Sequence, residues 1–128
     1  MAIFKEFTGI DHPAVAADDV DKLAEWYCDV LGFKKKFRHD KPIWIVEAPD
    51  GTYVEIMPKD DSPRQERNVL TPGWSHVAFR VNNFEAANAH LDKLGVNWMG
   101  EAVEAIGGGT VRSFMDPDGN MLQIVDRS

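Results

Sequence analysis

Ala48-Pro-Asp-Gly-Thr-Tyr-Val-Glu-Ile56 returns 68 positions later as Asp116-Pro-Asp-Gly-Asn-Met-Leu-Gln-Ile124. Both stretches open with Pro-Asp-Gly, the chemistry of a tight turn, and run into a segment where aliphatic residues alternate with polar ones. Upstream, His12-Pro-Ala-Val-Ala-Ala-Asp-Asp-Val20 is echoed at an offset of 64 by His76-Val-Ala-Phe-Arg-Val-Asn-Asn-Phe84. Leu31-Gly32 is echoed by Leu94-Gly95 at an offset of 63. Offsets that drift by a few residues are what two diverged copies of one structural unit produce when their loops differ in length.

Each copy contains the same elements in the same order. A short strand is expected at about 8–16 and again at about 74–81, where β-branched, aromatic and small residues surround a histidine. Asp18-Asp19 and Asn82-Asn83 supply N-caps, and Glu85 stands three positions after Asn82 in the spacing of a capping box. Val20, Leu23, Tyr27 and Val30 form one apolar helical stripe, and Phe84, Ala87, Leu91 and Leu94 form the other. Gly32 and Gly95 provide left-handed stops. Three short strands then follow in each copy. They are broken at His39-Asp-Lys-Pro42 and Pro49-Asp-Gly51 in the first, and at Gly107-Gly-Gly109 and Pro117-Asp-Gly119 in the second. The expected fold is α+β: one domain over 1–128 made of two tandem βαβββ modules, about 7–58 and 73–128, joined by a turn-rich linker at about 59–72. Their strands form a curled, partly open mixed sheet around a central cleft.

Side chains alternate between the faces of a strand, so parity decides what can reach that cleft. If Val54 and Ile56 pack under a helix, Glu55 points to the open face with Tyr53 and Met57. Leu122 and Ile124 place Gln123 there in the second copy. The same argument puts His12, Ala14 and Ala16, and His76 with Ala78, on the open face. Two histidines, one carboxylate and one amide at equivalent repeat positions make a four-donor set, His12, Glu55, His76 and Gln123. Imidazole nitrogen combined with oxygen suits one divalent transition metal, Zn, Ni, Fe, Co or Mn, rather than calcium. Arg80, on the parity of His76, and Arg112 could hold a substrate carboxylate. Trp44, Tyr53, Trp74, Trp98 and Phe114 could wall a pocket or fill the core. Gly107-Gly-Gly109 could form a mobile lip over the cleft. His39 and His90 are expected as solvated surface groups.

Composition excludes several classes of partner. The chain has 128 residues, 44% of them apolar and 27% charged, which is one ordinary domain's worth of core. A net charge of −7 leaves no obvious source for phosphate neutralisation, so neither nucleic acid nor an anionic membrane is expected as a partner. Met1 to Thr8 is interrupted by Lys5 and Glu6 and is too short for a signal core or a spanning helix, so a cytoplasmic location is expected. Cys28 is the only cysteine, which rules out an intrachain disulfide and any CxxC motif.

At these residues the sequence resembles the vicinal oxygen chelate superfamily, the glyoxalase, bleomycin-resistance and extradiol-dioxygenase group. The resemblance is carried by Gly9-Ile-Asp-His12, Trp26-Tyr-Cys-Asp-Val-Leu-Gly-Phe33, Pro49-Asp-Gly-Thr-Tyr-Val-Glu55, His76-Val-Ala-Phe79 and Asp116-Pro-Asp-Gly-Asn-Met-Leu-Gln123. It implies paired βαβββ modules whose first and fourth strands bind a metal, with His12, Glu55 and His76 on ligand positions of the glyoxalase type. Gln123 departs from the usual Glu. Ala16 and Lys59 stand where glyoxalase I carries an Arg and an Asn that help hold glutathione. The activity so implied is a metal-dependent lyase or isomerase of the glyoxalase type, not specific for glutathione. It would chelate vicinal oxygens of a small anionic substrate and stabilise an enolate-type intermediate, with Glu55 as the catalytic carboxylate. A metal-free, drug-type binding protein and a ring-cleaving dioxygenase are the alternatives. A homodimer is expected by the same resemblance.

Overall fold

The computed structural model describes residues 4–128; positions 1–3 of the Met1 to Thr8 stretch lie outside the described residues. The chain forms two compact units, one ending at Asp60 and the other beginning at Asp61.

In the first unit β1 (Ala14–Ala17) leads into α1 (Val20–Leu31), followed by β2 (Lys34–His39), β3 (Ile43–Glu47) and β4 (Tyr53–Pro58). The sheet order is β1-β4-β3-β2, with β1 parallel to β4 and the other neighbours antiparallel. Asp19 starts α1 by accepting the Lys22 N–H at 3.0 Å. Gly32 ends it in the left-handed region at φ 75°, its N–H returning to the Cys28 carbonyl. Val20, Leu23, Ala24 and Tyr27 are buried on the helix, and Val46, Val54 and Ile56 are buried on the strands. This layer is the hydrophobic core of the unit, since α1 packs against β3 and β4.

The second unit contains β5 (Val77–Arg80), α2 (Phe84–Lys93), β6 (Asn97–Trp98), β7 (Val103–Glu104), β8 (Thr110–Met115) and β9 (Met121–Asp126). Its order is β5-β9-β8-β6, with β5 parallel to β9 and with β7 also paired to β8. Leu91, Phe114, Leu122 and Ile124 are its buried centre. Of the expected helical stripe, Leu91 is buried and Leu94 is half exposed, at 50%. The α+β class and two open mixed sheets agree with the duplication. The two Pro-Asp-Gly turns also repeat in hydrogen bonding. Ala48 N–H meets the Thr52 carbonyl and Gly51 N–H the Ala48 carbonyl, while Asp116 N–H meets the Asn120 carbonyl and Gly119 N–H the Asp116 carbonyl.

Four expectations are corrected. The first strand of each unit is shorter than 8–16 or 74–81: pairing begins at Ala14 and at Val77, leaving His12 and His76 just before the ladder. In the first unit Pro13, which has no N–H, follows the histidine. The cap of α2 is Asn83, accepting from Ala86 N–H, so the capping-box spacing counted from Asn82 is out of phase by one. The second unit has two strands, β6 and β7, where one was expected, because the chain leaves the β8 edge between Trp98 and Val103. Gly107-Gly-Gly109 is a pinned hairpin turn rather than a loose lip. All three glycines have positive φ, Ala105 and Gly108 close the turn, and Arg127 Nη1 donates to the Ile106 and Gly108 carbonyls.

Candidate metal site

The parallel pairing of β1 with β4 sets Ala14 opposite Glu55, and that of β5 with β9 sets Ala78 opposite Gln123. Each histidine lies two residues before the alanine in that pair. The register therefore gives His12 to Glu55 the same relation that His76 has to Gln123. In β4, Val54 and Ile56 are buried while Tyr53, Glu55 and Met57 are half-buried, as the alternation requires.

In the first unit the two side chains meet. His12 Nε2 lies 2.9 Å from Glu55 Oε2. A nitrogen and a carboxylate oxygen at that spacing need a shared proton or a cation between them. Adjacent donor atoms around an octahedral ion with bonds of about 2.1 Å are about 3.0 Å apart, so the pair already has the edge length of a coordination shell. The other ring nitrogen of His12, Nδ1, is 2.8 Å from Asp11 Oδ2. The same oxygen accepts the Tyr53 hydroxyl at 2.6 Å. The Tyr53 ring stacks on the His12 ring, with centroids 4.9 Å apart and planes 16° from parallel. The Tyr53 hydroxyl, and after it His12, hold the Asp11 carboxyl below its ordinary range, and Asp11 in turn raises the Tyr53 phenol.

In the second unit His76 is exposed, and its Nδ1 lies 2.9 Å from Ser75 Oγ. Gln123, half-buried on β9, donates from Nε2 to Ser113 Oγ at 3.1 Å across the β8–β9 pair. Among the described residues no group of three or more His, Cys, Asp and Glu side chains is arranged to hold a metal ion. The His12–Glu55 pair is the assembled part of the four-donor set.

The remaining candidates are placed as follows. Trp44 pairs with Ile56, so it lies on the helix face of its sheet, opposite to Glu55, and its Nε1 donates to Asp21 of α1 at 2.7 Å. Arg112 is committed within its own unit. It donates to the Gly100 carbonyl and to Asn88 Oδ1, and its guanidinium lies 3.7 Å over the Trp98 ring. Those bonds brace the break between β6 and β7. Arg80 is exposed on β5, and Trp74 is 98% exposed. Ala16 is exposed, and Lys59 reaches Asp18 and the Asp60 carbonyl. Asp11, Tyr53, Ser75 and Ser113 were missed as partners of the donors. The available signal was a polar residue immediately before each histidine, and the parity Tyr53 shares with Glu55.

A family model described as the Glyoxalase/Bleomycin resistance protein/Dioxygenase superfamily matches residues 9–124. The uncharacterized protein YaeR of Escherichia coli K12 is 29% identical over 123 residues, covering 92% of this chain and 95% of that protein. A lactoylglutathione lyase of Neisseria meningitidis serogroup A is 26% identical over 125 residues, covering 91% and 88%. Among solved structures, a mutant of the fosfomycin resistance protein FosX from Listeria monocytogenes, complexed with Mn(II) and 1S,2S-dihydroxypropylphosphonic acid, superposes with a TM-score of 0.71. It is 16% identical and covers 93% of this chain and 90% of that one.

Proposed function

Because the chain belongs to the glyoxalase/bleomycin resistance protein/dioxygenase superfamily, we propose that it is a metal-dependent lyase or isomerase acting on a small substrate with oxygens on neighbouring carbons. The observation that carries this is the 2.9 Å contact between His12 Nε2 and Glu55 Oε2. The equivalent register of His76 and Gln123 supports it by offering a second pair of the same kind. His12, Glu55, His76 and Gln123 together would hold one divalent ion, Zn, Ni, Fe, Co or Mn, with the second pair supplied by the same chain or by a second copy in a homodimer. When bound, the ion would supply Lewis-acid polarisation of two adjacent substrate oxygens. The FosX ligand, named as a diol with hydroxyls at positions 1 and 2 and seen with Mn(II), supports that substrate chemistry.

Glu55 is the sole carboxylate among the four donors, which leaves the site with a formal charge of +1 around a divalent ion. One of its oxygens faces His12; its other oxygen is the proton acceptor for a substrate carbon or hydroxyl and returns the proton at the neighbouring position. Gln123 stays neutral, binding without competing for that proton. Ala16 and Lys59 offer neither the guanidinium nor the amide expected for glutathione, so the proposed activity is not glutathione-specific. The proposed setting is the cytoplasm, with a small anionic molecule as partner.

Metal analysis of the purified protein tests the proposal. Near-stoichiometric transition metal is expected. Its absence after reconstitution with each of the five ions would favour a metal-free small-molecule binding protein. On a substrate turned over by the loaded protein, Glu55→Gln abolishes turnover, whereas Gln123→Glu retains it. Turnover indifferent to Glu55→Gln would refute the proton-transfer role.

A further inference from the structure

A metal needs one imidazole nitrogen bare and aimed, and a neutral ring offers only one such atom. At His12 the residue immediately before it makes the selection. Nδ1 lies 2.8 Å from Asp11 Oδ2, and an ionised carboxylate only accepts, so Nδ1 carries the hydrogen and Nε2 is left as the donor atom facing Glu55. The Tyr53 hydroxyl, 2.6 Å from the same Asp11 oxygen, fixes the carboxylate from behind, and the stacked Tyr53 ring restricts rotation of the imidazole. At His76 the preceding residue again meets Nδ1, through Ser75 Oγ at 2.9 Å. At Gln123 the amide nitrogen is tied to Ser113 Oγ at 3.1 Å, which turns Oε1 away from Ser113 as the free oxygen.

Resting on the metal-ligand reading above, we infer that Asp11, Ser75 and Ser113 are positioning residues that orient His12, His76 and Gln123, Asp11 also selecting the bare ring nitrogen of His12, with Tyr53 holding Asp11 in place. The two histidines sit at equivalent points of the repeat, and both are held at the same ring nitrogen by the residue one position earlier. The repeat thus duplicates the support for its ligands as well as the ligands. Side chains that orient a ligand in this way change metal affinity by about 10–100-fold when removed.

The test is a Co(II) titration of the full chain, followed by visible absorption against a competing chelator. Asp11→Ala, Ser75→Ala and Ser113→Ala are each expected to weaken Co(II) binding by about tenfold or more. Tyr53→Phe, which keeps the ring stack and the charge, is expected to weaken it by about threefold. Asp29→Asn, on the exposed side of α1, controls for loss of one negative charge and leaves affinity within twofold. Melting curves identify any variant that fails to fold. Ser75→Ala removes only a hydroxyl ahead of the β5 ladder, so it keeps the idea testable. If wild type binds Co(II) and all three alanine variants match it within twofold, the positioning roles are refuted while the metal site stands. If wild type binds no Co(II), the metal site falls and the positioning roles fall with it.

Discussion

Replacing Gly109 by alanine should be among the most damaging single changes in the second unit. Gly109 has φ 98°, a region that L side chains rarely adopt, and holding a non-glycine residue there costs about 1–3 kcal/mol. A Cβ at this position would overlap the Asp126 carbonyl oxygen and lie 2.9 Å from its carbon and 3.0 Å from Arg127 Cα. All of these are backbone atoms, so no side chain can swing aside, and displacing them adds about 1–3 kcal/mol. The total is about 2–6 kcal/mol, a large share of a typical domain's stability. Asp126 also caps α2, accepting the Phe84 N–H at 3.0 Å, and it ends the strand that carries Gln123. Gly108, at φ 103° with nothing within 4 Å of its Cβ position, is the matched control and carries the backbone strain alone. Urea and thermal denaturation followed by far-UV circular dichroism measure both variants. Equal losses for Gly108→Ala and Gly109→Ala, or losses below about 0.5 kcal/mol for Gly109→Ala, would refute the steric argument.

Asp19→Ala removes the side-chain acceptor for Lys22 N–H at the start of α1 and is expected to cost about 1 kcal/mol in the same denaturation experiment. Phe114→Ala empties the centre of the second unit, where the ring is fully buried against Trp98, and should cost about 3–5 kcal/mol. Stability should fall in acid. Asp21, beside Arg38 and the Trp44 indole, and Asp126, beside Ser128, both titrate below the ordinary carboxylate value of 3.8 when folded. Their contribution is complete above that value and is lost as pH drops below about 4, through the lowered folded values. Asp21→Asn should flatten part of that acid slope in melting temperatures recorded against pH.

Alternation along β4 was legible because one face of the strand is buried against a helix, so Val54 and Ile56 fix where Glu55 points. In β9 residues of both parities are buried, and Gln123 is half-buried between Leu122 and Ile124. The tight turns were legible because Pro-Asp-Gly specifies its own hydrogen bonds. What escaped depended on contacts distant in the chain. The side Trp44 takes follows from its pairing with Ile56, which strand parity in β3 alone does not supply. Between β6 and β7 the Gly100 carbonyl accepts from Arg112 of β8, a contact that no local pattern announces. The one-residue shift of the α2 cap reflects two adjacent asparagines of equal propensity, of which Asn83 accepts the Ala86 N–H. Asp11 escaped because the strand expected over 8–16 gives it the parity opposite to His12, whereas pairing begins only at Ala14 and Asp11 is held by Tyr53 from a distant strand.

Anomalous diffraction from crystals of the metal-loaded protein, recorded at the absorption edge of the bound ion, locates the ion directly. One peak is expected within about 2.5 Å of His12 Nε2 and a Glu55 oxygen, with His76 and Gln123 of the same or a second copy completing the shell. A loaded crystal with no peak beside His12 and Glu55, or with its ion on other side chains, would contradict the assignment.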